Sequence, residues 1–217
     1  MPINVELIDV MGSDLSIVNS ARVSFAKESK EMTGADERLI KYLASHKHMT
    51  PFRHNAIQLR CKAPIFLARQ LGKHQAGLTW NEVSRRYVAS EPEFYLPSEW
   101  RQVPENGIKQ GSGAGTVDIR VEDEKGEYDP YIESVEVALA TYQHMLDTGV
   151  APEMARMVLP QSMITEWIWT GNLLAFAHVY KERIAEGAQL EAREFAKRLA
   201  DVIEPVFPEG WKALMED

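Results

Sequence analysis

Residues 63–87, APIFLARQLGKHQAGLTWNEVSRRY, hold the densest set of side chains able to do chemistry. Arg69, Lys73, His74, Arg85 and Arg86 stand there against a single carboxylate, Glu82, with Gln70, Gln75, Asn81 and Ser84 among them. Basic groups at this density without compensating acids describe a site for an anion, since guanidinium groups hold phosphate and carboxylate through paired, charge-assisted hydrogen bonds. The chain as a whole runs the other way, with a formal net charge of −8. That balance argues against a general nucleic-acid or membrane-surface binder and makes the local excess specific.

The elements that must position these groups can be read around them. Pro64 suits the first turn of a helix, where its missing N–H is no loss. Behind it Ile65, Phe66, Ala68 and Leu71 make an apolar face, and Arg69, Gln70, Lys73 and His74 share the polar side. Gly72 and Gly77 loosen the chain ahead of Thr79, Trp80 and Asn81. Upstream, residues 55–62 alternate as in a half-buried strand, with Ile57, Leu59 and Cys61 on one face. Cys61, the chain's one cysteine, therefore reads as a buried, inert thiol; a reactive thiolate needs an accessible, electropositive setting. Residues 46–54 are rich in histidine, yet no Cys or acidic partner falls at ligand spacing, so no metal site is expected.

Arg69-Gln70, His74, Asn81-Glu82, Ser84 and Arg86-Tyr87 form a frame that resembles the signature of the flavin-dependent thymidylate synthases. The match departs in three places. The family's Arg-His-Arg triplet reads Lys73-His74-Gln75, one extra residue precedes Ser84, and Arg85 stands where a small residue is usual. The resemblance extends over nearly the whole chain and implies a ThyX-like α+β fold. The implied reaction is reductive methylation of dUMP to dTMP, without a cysteine nucleophile. Methylene-tetrahydrofolate would give the carbon and FAD, reduced by NADPH, the hydride. It also implies a homotetramer with active sites between subunits.

Residue by residue, the resemblance assigns dUMP to Gln70, Lys73, Glu82, Ser84, Arg85, Arg86, Arg156 and Arg183. Arg183, set against the uracil carbonyl, and His74 are the expected catalytic residues. FAD falls to Ser24, His48, Thr50, Lys73, His74, Gln75, Asn81, Glu82, Asn172 and His178. His178 stands where the family often has Asn, Leu174 replaces a common Arg, and Arg53 a usual Glu. Arg85 is expected to offset the cation missing at Gln75. Two alternatives stay open. One is a related enzyme that leaves a hydroxymethyl group or uses another pyrimidine nucleotide; the other is a nucleotide or flavin binder without turnover.

The remaining expectations concern organisation. At 217 residues and 45% hydrophobic content, one soluble domain spanning 1–217 is expected. No transmembrane run or signal-peptide pattern is visible, and cysteine usage fits a reducing cytoplasm. Residues 5–10 read as a strand, Asp14 as a helix cap, 27–34 as a mobile connection and 36–45 as an amphipathic helix. Residues 93–97 read as extended and 101–127 as a flexible surface insertion, whose GSGAG lacks the Lys-Ser/Thr of a phosphate loop. Asp129-Pro130 starts a helix ended by Gly149, with Ile132, Val135, Leu139, Tyr142 and Leu146 as its buried stripe. Pro152 opens a short helix, 163–170 form a strand, and Asn172 caps the next helix. The last helix, 191–203, is stopped by Pro205 and Pro208. The mixture lacks a βαβ rhythm and predicts α+β with a mixed or antiparallel sheet.

Overall fold

A computed structural model describes residues 3–88, 90–105, 111–124 and 126–216. The chain runs β1 (Asn4–Met11), α1 (Asp14–Arg22), α2 (Gly34–Ser45), β2 (Ala56–Pro64), α3 (Ile65–Leu71) and β3 (Leu78–Glu82). Four short strands follow: β4 (Trp100–Arg101), β5 (Thr116–Val117), β6 (Val121–Asp123) and β7 (Gly126–Tyr128). Then come α4 (Pro130–Asp147), α5 (Pro152–Ala155), β8 (Ile164–Gly171), α6 (Leu173–Ile184), α7 (Leu190–Ile203) and α8 (Pro208–Met215). The main sheet has the order β1-β2-β8-β3 and is antiparallel throughout, which bears out the α+β expectation.

The pleat explains how this sheet is buried. In β2, Ile57, Leu59, Cys61 and Ala63 alternate inward and are fully buried. Opposite them β8 contributes Trp167 and Trp169, also buried, in register with Cys61 and Leu59. Trp80 of β3 stacks on Trp167 at 4.2 Å between ring centroids, and Phe176 and Phe195 bring α6 and α7 onto the two tryptophans. A contiguous aromatic core therefore fixes β3, and with it the end of α3, to the helices that carry the other candidate residues.

Several expectations are corrected. β3 is a full strand where glycine-loosened chain was expected; its pairing with β8 decides the matter. Ser13, not Asp14, caps α1; the buried Asp14 carboxylate accepts the backbone N–H groups of Glu209 and Gly210 at 2.8 and 2.9 Å, and so caps α8. The sequence pattern predicts a stop at Pro208, but proline suits a first helical turn and here opens α8. Residues 27–34 are laced down rather than loose. Ser29 is bracketed by Asn19, and buried Asp36 binds Ser29, Thr33 and Arg22. In 101–127, two small ribbons, β4–β5 and β6–β7, replace part of the expected insertion; 106–110 and 125 lie outside the described residues. On α4 only Val135 and Tyr142 of the predicted stripe are buried, and Ile132 is exposed. Among the described residues no helix is long and apolar enough to cross a membrane.

Candidate active site

The turn after α3 is built around one glycine. Leu78 N–H donates to the Gln75 carbonyl at 3.2 Å, and Gly77 takes φ +74°. A Cβ at Gly77 would stand 2.8 Å from Asn172 Nδ2, so the turn sits directly on the start of α6. Asn172 Oδ1 meanwhile caps α6 by accepting Ala175 N–H at 2.9 Å, and Asn55 Oδ1 accepts Leu173 N–H at 2.7 Å. These contacts set the helix against the turn, and the consequence appears further along α6. Arg183 Nε–H donates to His74 Nε2 at 3.0 Å, and His178 lies edge-on to the His74 ring with centroids 5.8 Å apart.

Partial burial, then the charges of Arg183 and His178, holds His74 below the usual histidine range. The imidazole is therefore neutral near pH 7 and can accept the guanidinium bond. Arg183, Gln70 and Lys73 line one cavity of about 340 Å³. Gln70 Nε2–H donates to Gln189 Oε1 at 2.6 Å, which orients that amide from the residue just before α7.

At the other end of β3 a second group gathers. Glu82 accepts the Thr165 hydroxyl at 2.7 Å and the Trp80 indole N–H at 3.2 Å. Glu82, Arg85 and Arg156 line a cavity of about 410 Å³. Arg85 donates to the Ser90 carbonyl, Arg86 Nε–H donates to Ser84 Oγ at 3.1 Å, and the Arg86 guanidinium lies 5.0 Å from the Tyr87 ring centre. Arg156 is exposed between Met154 and Met157, with its Nε–H on the Glu153 carbonyl at 3.2 Å.

The third group lies in a cleft of about 1040 Å³ between α1, α2 and the turn at Thr50–Arg53. Ser24, His48 and Thr50 line it, together with Arg22, Lys27, Lys47 and His54, and no carboxylate is among the described lining residues. Arg22 is tied to Asp36, whose carboxyl is held down at about 2 by the Thr33 hydroxyl first and by Arg22 and Ser29 after it.

The expected residues thus sort into three places in one chain, each with its own cavity. Gln75 and Asn81 are exposed, on the turn and on β3. Gln75 and Arg85 fall on opposite sides of a five-residue strand, about 15 Å of extended chain. Thr165, Gln189 and Asn55 were not foreseen, because each contact spans more than eighty positions of sequence and no local pattern marks it.

Residues 6–209 match the family model described as "Thymidylate synthase complementing protein". A flavin-dependent thymidylate synthase from Thermus thermophilus is 38% identical over 213 residues, 98% of this chain and 75% of the relative. This chain belongs to the flavin-dependent thymidylate synthase family. A flavin-dependent thymidylate synthase from Thermosipho africanus is 36% identical, over 97% of this chain and 90% of its own length. Among solved structures, the UMP/dUMP methylase PolB from Streptomyces cacaoi, bound with 5-Br dUMP, superposes with a TM-score of 0.81 at 30% identity. It covers 99% of this chain and 95% of its own. The same methylase bound with 5-Br UMP gives the same TM-score and identity.

A flavin-dependent thymidylate synthase must hold a flavin, which carries phosphate, and this chain's donor set fits such an anion. The wide cleft carries Ser24, His48 and Thr50 in a cationic lining with no described acid to repel a phosphate. The stretch Lys73-His74-Gln75 is seated beside α6 by the turn at Gly77, which packs on Asn172.

Proposed function

We propose that this enzyme methylates C5 of the pyrimidine of dUMP, with the carbon coming from methylene-tetrahydrofolate. The observation that carries the reading is Arg183. Its guanidinium is held by neutral His74 at the cavity that Gln70 and Lys73 also line. In the proposed pose it faces the uracil carbonyl. A fixed cation there favours the negative charge that develops on the ring as C5 becomes nucleophilic. Gln70, its amide oriented by Gln189, binds the base edge. Arg85, Arg86, Arg156 and Ser84 take the phosphate, and Glu82, held by Thr165 and Trp80, fixes the pose.

FAD, reduced by NADPH, would be held by Ser24, His48, Thr50, His74, Asn172 and His178, with Lys73, Gln75, Asn81 and Glu82 beside them, and when bound supplies the hydride that completes the methyl group. Cys61 supports a route without a thiolate nucleophile, because it is fully buried mid-strand in β2 and burial pushes its thiol far above the usual range. The separation of the three residue groups supports a homotetramer in which neighbouring chains complete each site.

A second reading has its own support. The solved methylase relative holds both 5-Br dUMP and 5-Br UMP, so UMP is a candidate substrate here too. The test is mass spectrometry of products from the purified protein with FAD, NADPH, methylene-tetrahydrofolate and either dUMP or UMP. A gain of one methyl group on dUMP is expected. No product from either nucleotide, or a hydroxymethyl product, would reject the reading.

A further inference from the structure

The ribbon of β4 and β5 belongs to none of the three groups above, yet it meets the Arg183 cavity at two points. Gly111 takes φ +79°, and a Cβ there would stand 3.3 Å from the Gly187 carbonyl oxygen, so the chain at Gly111 rests on the turn ahead of α7. Both glycines line the cavity with Gln70, Lys73 and Arg183. The second point is Arg101 of β4. Its Nη2 donates to both carboxylate oxygens of Glu191 at 2.9 Å, and its Nε–H goes to Ser112 Oγ at 2.8 Å. Glu191 lies in the first turn of α7 and is 3% exposed. The Tyr95 hydroxyl gives it a further bond at 3.1 Å; burial first, and Glu191 after it, push that hydroxyl up to about 12, so it stays a donor.

Burial alone would raise the Glu191 carboxyl. Its own backbone N–H, Arg101 and the Gln189 amide outweigh burial and hold it below the usual range. Glu191 is therefore a carboxylate, which only accepts hydrogen bonds. Gln189 must then turn its amide nitrogen to Glu191 and its oxygen away. That oxygen takes Gln70 Nε2–H at 2.6 Å, which settles the Gln70 amide in turn. Reversing Gln189 would set oxygen against the carboxylate and nitrogen against the Gln70 nitrogen.

We propose that Glu191, fastened by Arg101 of the ribbon, is a positioning residue for the nucleotide: acting through Gln189, it fixes which end of the Gln70 amide the cavity presents. This deepens the proposed function and rests on it, because Gln70 is the residue given there to the base edge. A uracil edge alternates carbonyl oxygens with an N–H, so a reversed amide meets it with donor and acceptor exchanged. The ribbon thus braces the site from outside without touching the ligand.

The test is calorimetric titration of dUMP into the FAD-loaded full-length protein, as a double-mutant cycle with Gln70→Ala. In Glu191→Gln, Arg101 and Tyr95 claim the one remaining carbonyl oxygen, the new amide nitrogen faces Gln189, and both glutamines reverse. The dUMP Kd should rise about fivefold while the FAD Kd holds. Gln189→Met leaves the Arg101–Glu191 pair in place and should show the same loss at unchanged Tm, which keeps the test should Glu191→Gln fold poorly. Turnover at saturating dUMP should stay within about twofold, the loss falling on KM. In the Gln70→Ala background each change should cost less than about twofold, whereas a merely structural role gives the same loss in both backgrounds. Equal losses in the two backgrounds, no loss with Gln70 intact, or a loss in kcat at unchanged KM would overturn the positioning role. So would a Gln70→Ala variant that binds dUMP as the wild type does. Wild-type protein that binds no dUMP would overturn the proposed function and this role with it; normal dUMP binding with an additive cycle overturns the role alone.

Discussion

His74 is crowded by two other basic side chains, and that crowding sets both its charge and its use. It accepts the Arg183 Nε–H only while unprotonated, and its pKa lies below the ordinary value through burial first, then Arg183 and His178. Lowering the pH far enough to protonate it puts two cations face to face and releases Arg183. Turnover should therefore be steady around neutral pH and fall only on the acid side of the ordinary histidine value, because the His74 pKa is lowered. The stability term has the same sign. The unfolded chain takes up the proton first, so stability present above the unfolded pKa is lost as pH falls toward the folded one. A pH–rate profile checks this, and His74→Gln, an uncharged acceptor, should flatten its acid limb. Arg183→Ala should cost about 3 kcal/mol of activation, roughly a hundredfold in turnover, with FAD still bound by absorbance. Normal turnover in that variant would remove Arg183 from its role. Cys61→Ala should fold and keep turnover within a few-fold, since the thiol faces Trp167 and the core rather than a cleft. A Cys61–pyrimidine adduct found by mass spectrometry would contradict this.

Elements explain which parts of this arrangement could be read from sequence. Alternation in β2 and β8 and the caps at Asp129 and Asn172 were legible because each depends on neighbours within a few residues. β3 was not, because Leu78, Thr79, Trp80, Asn81 and Glu82 alternate too weakly; the strand exists through its pairing with β8 and the Trp80–Trp167 stack. Asp14 was assigned to the wrong helix for a similar reason, its partners Glu209 and Gly210 lying at the far end of the chain. The candidate site divides along the same line. The basic residues were visible in one stretch, but Thr165, Gln189 and Asn55, which hold Glu82, Gln70 and the start of α6, were not. Removing a distant cap gives a sharp test at this scale. Asp14→Ala leaves two N–H groups of α8 unpaired in a buried setting and should cost about 1–2 kcal/mol, read as a lower denaturant midpoint. An unchanged midpoint would mean that α8 needs no such anchor.

At the scale of the whole molecule, one chain leaves the residues proposed to bind the nucleotide divided and much apolar surface uncovered. Arg183, Gln70 and Lys73 line one cavity, while Arg85, Glu82 and Arg156 line another. Around Arg156, Met157 is 70% exposed and Met154 52%, and Val137 on neighbouring α4 is 59% exposed. Exposed apolar surface of this kind, next to the arginine proposed to bind the nucleotide phosphate, is the form of a surface that another copy covers. If Arg156 of one chain completes the site that Arg183 of its neighbour begins, two inactive variants can repair each other. Arg156→Ala and Arg183→Ala should each lose most dTMP formation alone. After denaturation and refolding as an equal mixture, isologous pairing gives mixed pairs in which one site has both arginines intact and the other has neither. About a quarter of all sites, and of wild-type activity, should then return. Were both arginines drawn from the same chain, every site would lack one of them and the mixture would stay as inactive as its parents, which ends the shared-site reading.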